Sequence, residues 1–272
     1  MIRSSKAFSL TELLVVLGIA SILLGLLIPA VGSARARARA AVCKAQVRQL
    51  VLANTGYANE NDGLLCPAAE DIWDNAGLHR WHGSRRSLDE PFDPAGSPLK
   101  AYLAGGRIKR CPQSPYFLAG RAWRYNFEQG CGGYGYNLTY LGSRLWDKAI
   151  AGNGCQMRDA YRKTTRITMI ARPAETLMFA DTAISTDGLN LIEYSFAEPP
   201  FAVIAGQLIA EVYMSPSMHF RHLGSANVGW SDGHVDARAM AAFNVTNAYG
   251  VDCLGMGLGW PEPVDNSLFD LQ

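Results

Sequence analysis

The chain has 272 residues, and its 25 basic and 24 acidic side chains leave a net charge of +1. Apolar residues make up 49% of the chain and charged residues only 18%, which excludes a disordered protein and supplies enough apolar material for a core. Because the charge is balanced, we expect no nucleic-acid partner.

The first predicted element is a long helix that begins near Ser9 and ends near Tyr57. Residues 13–31 read LLVVLGIASILLGLLIPAV and contain no charge. A helix of that length crosses the hydrocarbon core of a membrane, which is about 30 Å thick. The run is longer than the apolar part of a secretory signal peptide, and amphipathic helix-forming residues follow it. The sequence therefore predicts one membrane-spanning segment.

Two residues are unusual in such a helix. Glu12 places a carboxylate at the membrane edge, and Pro29 removes a backbone hydrogen bond inside the helix. Together with a short basic leader that ends before Phe8, they resemble the start of type IV prepilins and of the pseudopilins of type II secretion. The resemblance implies that prepilin peptidase cleaves between Ala7 and Phe8 and that the new amine is methylated. Ala7 departs from the family, which usually has Gly before the cut.

The same resemblance implies how the mature helix assembles. Glu12 would pair with the Phe8 amine of a neighbouring copy, and Pro29 would break the helix. The partners are then prepilin peptidase, other copies or homologous pilin-like subunits, and inner-membrane lipid. Without the resemblance, Glu12 is a snorkelling carboxylate on an ordinary signal anchor.

Charge around the apolar run conflicts with this orientation. Five basic residues follow the run within residues 35–48, but only Arg3 and Lys6 precede it, so the positive-inside rule would place the C-terminal part in the cytoplasm. The resemblance implies the opposite, because the leader must reach a cytoplasmic peptidase. We therefore expect a single-pass inner-membrane protein whose head lies in the periplasm, or on the cell surface after assembly.

Three parts follow from this interpretation: a leader at 1–7, a pilin helix at 8–60 and an extracytoplasmic head at 61–272. In the head, the sequence predicts a short helix at 97–103 and strands at 176–181 and 201–209. Residues 226–238 place two β-prone runs around Asp232-Gly233, which is typical of a tight hairpin.

The hairpin carries a second resemblance. His222, nine intervening residues and then Asp232-Gly233 match the His-x9-Asp-Gly signature of pilin-like proteins that have a C-terminal domain of unknown function. Cys111-Pro112 and the segments 134–137 (YGYN) and 172–182 (RPAETLMFADT) agree with it. The resemblance implies an α+β, pilin-like fold in which a long membrane-spanning helix packs on an antiparallel β-sheet head with long loops. It implies no ligand.

His222, Asp232, His234 and Asp236 also allow a metal-site interpretation. The turn at Asp232-Gly233 interrupts the alternation that would put the carboxylates on one face. The structural interpretation is therefore favoured, with Asp232 capping the turn and His222 hydrogen-bonded to nearby backbone. The sequence predicts no metal and no cofactor.

Six cysteines are present, and an oxidising compartment would allow disulfides. No CxxC motif occurs. Cys111 and Cys131 form the preferred pair because they are close along the chain, 20 residues apart. Closing such a loop contributes about 3 kcal/mol.

The motifs of hydrolases, metalloproteases and nucleotide-binding enzymes are missing from the sequence, so we expect no enzyme. Two functions of different class fit the remaining features. The first is a structural subunit of a type IV pilus-like filament or a type II secretion pseudopilus. The second is a minor or tip subunit whose head binds an extracellular polymer or secreted cargo.

Overall fold

The computed structural model describes residues 9–73, 77–114, 127–152 and 157–272. The expected cleavage site at Ala7 and Phe8 therefore lies outside the described residues, as does Cys155.

The predicted N-terminal helix is confirmed as α1, Leu10–Glu60. Ser9 caps its first turn, and the backbone N–H of Asn61 closes its last turn on the carbonyl of Ala58. The helix continues through Pro29, so the break that the resemblance implied is not present in the single chain.

Helix α1 has two different halves. No residue from Leu10 to Val42 is buried. From Cys43 onward one face turns into the core, and the members of this face are Cys43, Val47, Leu50, Val51 and Asn54. Their spacing of three and four residues is that of an amphipathic helix with one apolar stripe. Only the second half of α1 is therefore part of the head.

The remaining elements are mostly short strands. They are β1 His79–Arg80, β2 Gly83–Ser84, β3 Tyr134–Tyr136, β4 Leu177–Asp181, β5 Phe201–Ile204, β6 Gln207–Tyr213, β7 Met218–His219, β8 Ser225–Trp230, β9 Val235–Ala239 and β10 Leu258–Gly259, with helices α2 Lys148–Ala151 and α3 Met157–Arg162. Four strands form an antiparallel sheet in the order β3-β4-β8-β9. The long helix followed by antiparallel sheets agrees with the expected α+β class.

The second half of α1 packs on this sheet through a glycine. A Cβ atom at Gly229 in β8 would lie 2.7 Å from Val47 Cγ1 and 2.7 Å from Val51 Cγ2. The missing side chain lets the helix approach the middle of the sheet. Asn54 anchors the same face, because its Oδ1 accepts from the backbone N–H of Cys66 at 2.9 Å.

One hairpin is confirmed and one predicted strand is wrong. β8 and β9 join through the predicted turn, in which Gly233 has a φ of +97° that favours glycine. Residues 201–209 are not one strand, because the chain reverses at Ala205 and Gly206, with φ of +53° and +74°, between β5 and β6. The predicted helix at 97–103 is only a 3-10 turn at Lys100–Tyr102.

Glu198 is a core acid whose pKa is raised by burial. Glu198 is buried, and the Tyr194 hydroxyl donates to its Oε1 at 2.9 Å. Burial raises the pKa of Glu198 from 4.5 to about 7, against the smaller lowering effect of the Tyr194 hydrogen bond. A raised acid pKa means that the folded chain holds a proton that the unfolded chain releases. The stabilisation is therefore complete below about pH 4.5 and is lost as pH rises through about 7.

We expect Glu198→Gln to flatten this dependence. Between about pH 5 and pH 8 the wild type should lose about 2–3 kcal/mol of unfolding free energy relative to the variant. Urea unfolding of both full chains in the same detergent, at several pH values, measures that difference. The contributions of all other titrating groups cancel, because they are the same in the two chains. Parallel pH profiles would show that Glu198 is ionised in the folded chain.

Candidate functional site

The start of α1 is the first candidate. Ser9 and Glu12 form a capping box: the backbone N–H of Ser9 donates to Glu12 Oε2 at 2.9 Å, and the backbone N–H of Glu12 donates to Ser9 Oγ at 3.2 Å. The Ser9 hydroxyl also donates to Glu12 Oε2, at 2.7 Å. In the single chain, Glu12 therefore caps its own helix, and the expected pairing with Phe8 of another copy stays a prediction.

The first half of α1 presents an apolar surface to its surroundings. Leu10 is 76% exposed, and Leu26 and Ile28 are each 71% exposed. From Leu10 to Val31 this surface is about 33 Å long. Soluble monomers rarely expose contiguous apolar patches of more than a few hundred Å². Among the described residues, α1 is the one helix long and apolar enough to cross a membrane.

The second candidate lies where α1 meets the sheet. Four side chains from distant parts of the chain converge there: Cys43 on α1, Cys111 on the loop before β3, Asp181 at the end of β4 and His222 between β7 and β8. One ligand atom from each lies within 4.8 Å of the others, and all four residues are buried. We refer to these four residues as the junction cluster.

The geometry of the junction cluster corrects the expectation for His222. Its Nε2 lies 3.2 Å from Asp181 Oδ2 and 3.6 Å from Cys111 Sγ, so the side chain does not bind nearby backbone. The Cys43 thiol donates to Asp181 Oδ1 at 3.0 Å. The turn at Leu223 and Gly224, where φ is positive, pairs the backbone of His222 with Ser225 and leaves its side chain free to point inward.

Two further side chains hold Asp181 from outside the cluster. Arg221 Nη2 donates to Asp181 Oδ1 at 2.6 Å, and Arg221 Nε donates to Cys111 Sγ at 3.3 Å. The backbone and side-chain N–H groups of Asn227 donate to Asp181 Oδ2 at 2.7 Å and 3.0 Å. The carboxylate is therefore fixed in orientation on both of its oxygens.

These neighbours set the ionisation of the cluster. Burial alone would raise the pKa of Asp181, but the Arg221 guanidinium and His222 lower it to about 2. The contacts of Cys111 with Cys43, His222 and Arg221 lower its pKa, although burial acts in the opposite direction. Burial and the contact with Cys111 raise the pKa of the Cys43 thiol. The surroundings therefore favour the thiolate at Cys111 and the neutral thiol at Cys43.

The other residues of the metal interpretation lie elsewhere. Asp232 Oδ1 accepts from the backbone N–H of His234 at 3.0 Å and lies 2.6 Å from His234 Nδ1, with both side chains partly exposed. Asp236 accepts from Trp230 Nε1 and from Arg238 Nε. None of these three joins His222, so the hairpin carboxylates and His222 do not form one site.

The preferred disulfide is not formed. Cys111 and Cys131 are both free and buried. The Cys111 thiol points into the junction cluster, whereas the Cys131 thiol donates to Glu193 Oε2 at 3.8 Å. Separation along the chain did not determine where the two thiols point.

A buried ion pair lies outside every sequence pattern. Arg80 Nη2 lies 3.0 Å from Glu128 Oε1, and His82 is fully buried with Nε2 3.6 Å from Glu128 Oε2. No local spacing links Arg80 to Glu128. Their contact arises only once the loops fold over the sheet.

Comparison of the chain with models of protein families, with curated protein sequences and with solved structures gave no match. The functional conclusion therefore depends on the geometry described above and on the sequence patterns.

Proposed function

We propose that the chain is a structural subunit of a type IV pilus-like filament or type II secretion pseudopilus. Prepilin peptidase removes residues 1–7, and Phe8 becomes the methylated N-terminus. The mature chain sits in the inner membrane through residues 13–31 with its head outside the cytoplasm. It then assembles with other copies or homologous subunits, and its role is assembly rather than catalysis.

The observation that supports this proposal most is the division of α1. Its second half is fixed in the head through Val47, Val51 and Asn54, while its first half is an uncovered rod whose apolar part, Leu10–Val31, is about 33 Å long. Such a rod needs lipid or the same segment of other copies to cover it. One continuous helix serves both states, because the head stays attached when the rod passes from lipid into a filament.

Glu12 adds a feature that a plain membrane anchor does not need. It is the one acidic residue between Leu10 and Val42, and it lies next to the expected mature N-terminus. A carboxylate there costs free energy in lipid unless it gains a partner. A positively charged amine from an adjacent copy supplies that partner and fixes the stagger between neighbouring helices.

We expect coexpression with a prepilin peptidase to yield a chain that begins at Phe8 and carries one added methyl group. The small Ala7 side chain should fit where the family has Gly, so Ala7→Gly should be cleaved at least as fast. Ala7→Leu should block cleavage because of its bulk. Intact-mass measurement of the membrane-extracted chain reports cleavage in the wild type and in both variants. Any mature start other than Phe8 would contradict the proposed cleavage site.

A further inference from the structure

The junction cluster has the donor set of a metal site. Thiolate sulfur, imidazole nitrogen and carboxylate oxygen are the three ligand types that bind zinc in proteins. Four such ligands come from four separate parts of the chain, namely Cys43, Cys111, Asp181 and His222. Each of these residues is at most 4% exposed.

The distances fit a tetrahedral ion. Zinc lies about 2.3 Å from sulfur and about 2.0 Å from nitrogen or oxygen, so the ligand atoms of a tetrahedral site are about 3.3–3.8 Å apart. In the junction cluster, Cys43 Sγ to Asp181 Oδ1 is 3.0 Å, His222 Nε2 to Asp181 Oδ2 is 3.2 Å and Cys111 Sγ to His222 Nε2 is 3.6 Å. No pair exceeds 4.8 Å. The widest separations therefore exceed the tetrahedral range by about 1 Å, which is the shift that a bound ion requires.

The charges also balance. Two thiolates and the Asp181 carboxylate carry three negative charges, while a divalent cation and the Arg221 guanidinium carry three positive charges. Arg221 is 4% exposed at its side chain and contacts both Asp181 and Cys111. A buried site needs such neutrality, because uncompensated charge in the interior is costly.

Side chains next to the junction cluster hydrogen-bond to one of its proposed metal ligands. Arg221 and Asn227 hold the Asp181 carboxylate, and hydrogen bonds of this kind orient metal-binding carboxylates in proteins. When an ion binds, any protons on the two thiols and on His222 Nε2 leave, while the contacts of Arg221 and Asn227 with Asp181 are kept.

We propose that Cys43, Cys111, Asp181 and His222 bind one zinc ion that fastens the second half of α1 to the head. Cys43 is the first buried residue of α1, at the point where the exposed rod ends. An ion there ties the helix to the end of β4 and to two loops. A force applied along the exposed half of α1 would therefore reach the zinc site before the rest of the contact between helix and head.

Two other chemistries compete for the same atoms. A Cys43–Cys111 disulfide would also join helix and head, but it would leave Asp181 and His222 without a role. A Cys111–His222 nucleophile needs access for a substrate, and Cys111 is only 2% exposed. The zinc site alone uses all four side chains.

The test uses the full chain purified in detergent without chelator, and elemental analysis measures its zinc content. We expect one zinc per wild-type chain. Cys43→Ser and His222→Gln should each lose it. Cys253→Ser should keep it, because Cys253 is a buried free thiol outside the cluster. Chelator should lower the melting temperature of the wild type and of Cys253→Ser but not of the two ligand variants.

A wild-type titration keeps the proposal testable if the ligand variants misfold. Chelator-stripped full chain should take up one equivalent of cobalt(II) and develop the intense visible bands of a tetrahedral thiolate site, and zinc should displace them. Failure to bind either ion would overturn the proposal. A Cys43–Cys111 disulfide in the chain as purified, detected by non-reducing mass spectrometry, or zinc retained by both ligand variants, would also overturn it. None of these readouts depends on filament assembly.

Discussion

We expect Glu12→Ala to leave the chain in the membrane but to remove it from filaments. Membrane insertion should not suffer, because the substitution takes a charge out of an apolar helix. Assembly should fail, because the N-terminal amine of the adjacent copy then lies unpaired in a low-dielectric contact. Breaking a buried ion pair in this way costs about 3–5 kcal/mol, which corresponds to about two to three and a half decades in an association constant.

Glutamine separates this role from helix capping. In the single chain, Glu12 caps its own helix through Ser9, and glutamine also forms a capping box. If charge pairing matters, Glu12→Gln should fail to assemble, as Glu12→Ala does, whereas Ser9→Ala should still assemble. The measurement is the amount of the chain in the membrane fraction and in the sheared-filament fraction of strains that carry the wild type or one of the variants. Filament levels of Glu12→Gln equal to those of the wild type would assign Glu12 to capping alone.

The second large effect is expected at Gly135 in β3. A Cβ atom there would lie 2.5 Å from the carbonyl carbon of Phe196 and 2.7 Å from the backbone nitrogen of Ala197. Both are main-chain atoms of a segment that hydrogen-bonds to Tyr136 on each side. Because neither backbone can retreat without breaking those bonds, we expect Gly135→Ala to destabilise the head by about 3 kcal/mol.

Gly255→Ala is the matched control. A Cβ atom at Gly255 would come no closer than 3.7 Å to Asp252, which is ordinary contact. Urea unfolding of the full chains in detergent, followed by tryptophan fluorescence, should show a clear loss for Gly135→Ala and almost none for Gly255→Ala. Equal midpoints for the two variants would mean that β3 does not lie against residues 195–197.

Parts of the fold that depend on local sequence were predictable. The exposed and buried halves of α1 follow from the apolar run and from the helical spacing of Val47, Leu50 and Val51. The β8–β9 hairpin follows from Asp232-Gly233, because few residues other than glycine adopt the positive φ of Gly233. By contrast, the reversal at Ala205 and Gly206 lies inside an apolar run in which one glycine is the single turn signal and no Asn, Asp or Pro accompanies it.

The junction cluster could not be predicted, because its members are not neighbours along the chain. Cys43 and Asp181 are 138 residues apart, and Cys111 and His222 are 111 residues apart. Local patterns predict a different partner for each residue, namely nearby backbone for His222 and Cys131 for Cys111. Only the packing of α1 on β4 and β8 brings Cys43 to them.

The most direct test of the proposed function is the protein composition of filaments sheared from cells that make this chain. A structural subunit should be the dominant protein, with an intact mass that corresponds to a chain starting at methylated Phe8. A mature chain present only in traces would favour the minor or tip subunit with a binding head. A chain that retains Met1, stays in the membrane fraction and is missing from filaments would contradict the account.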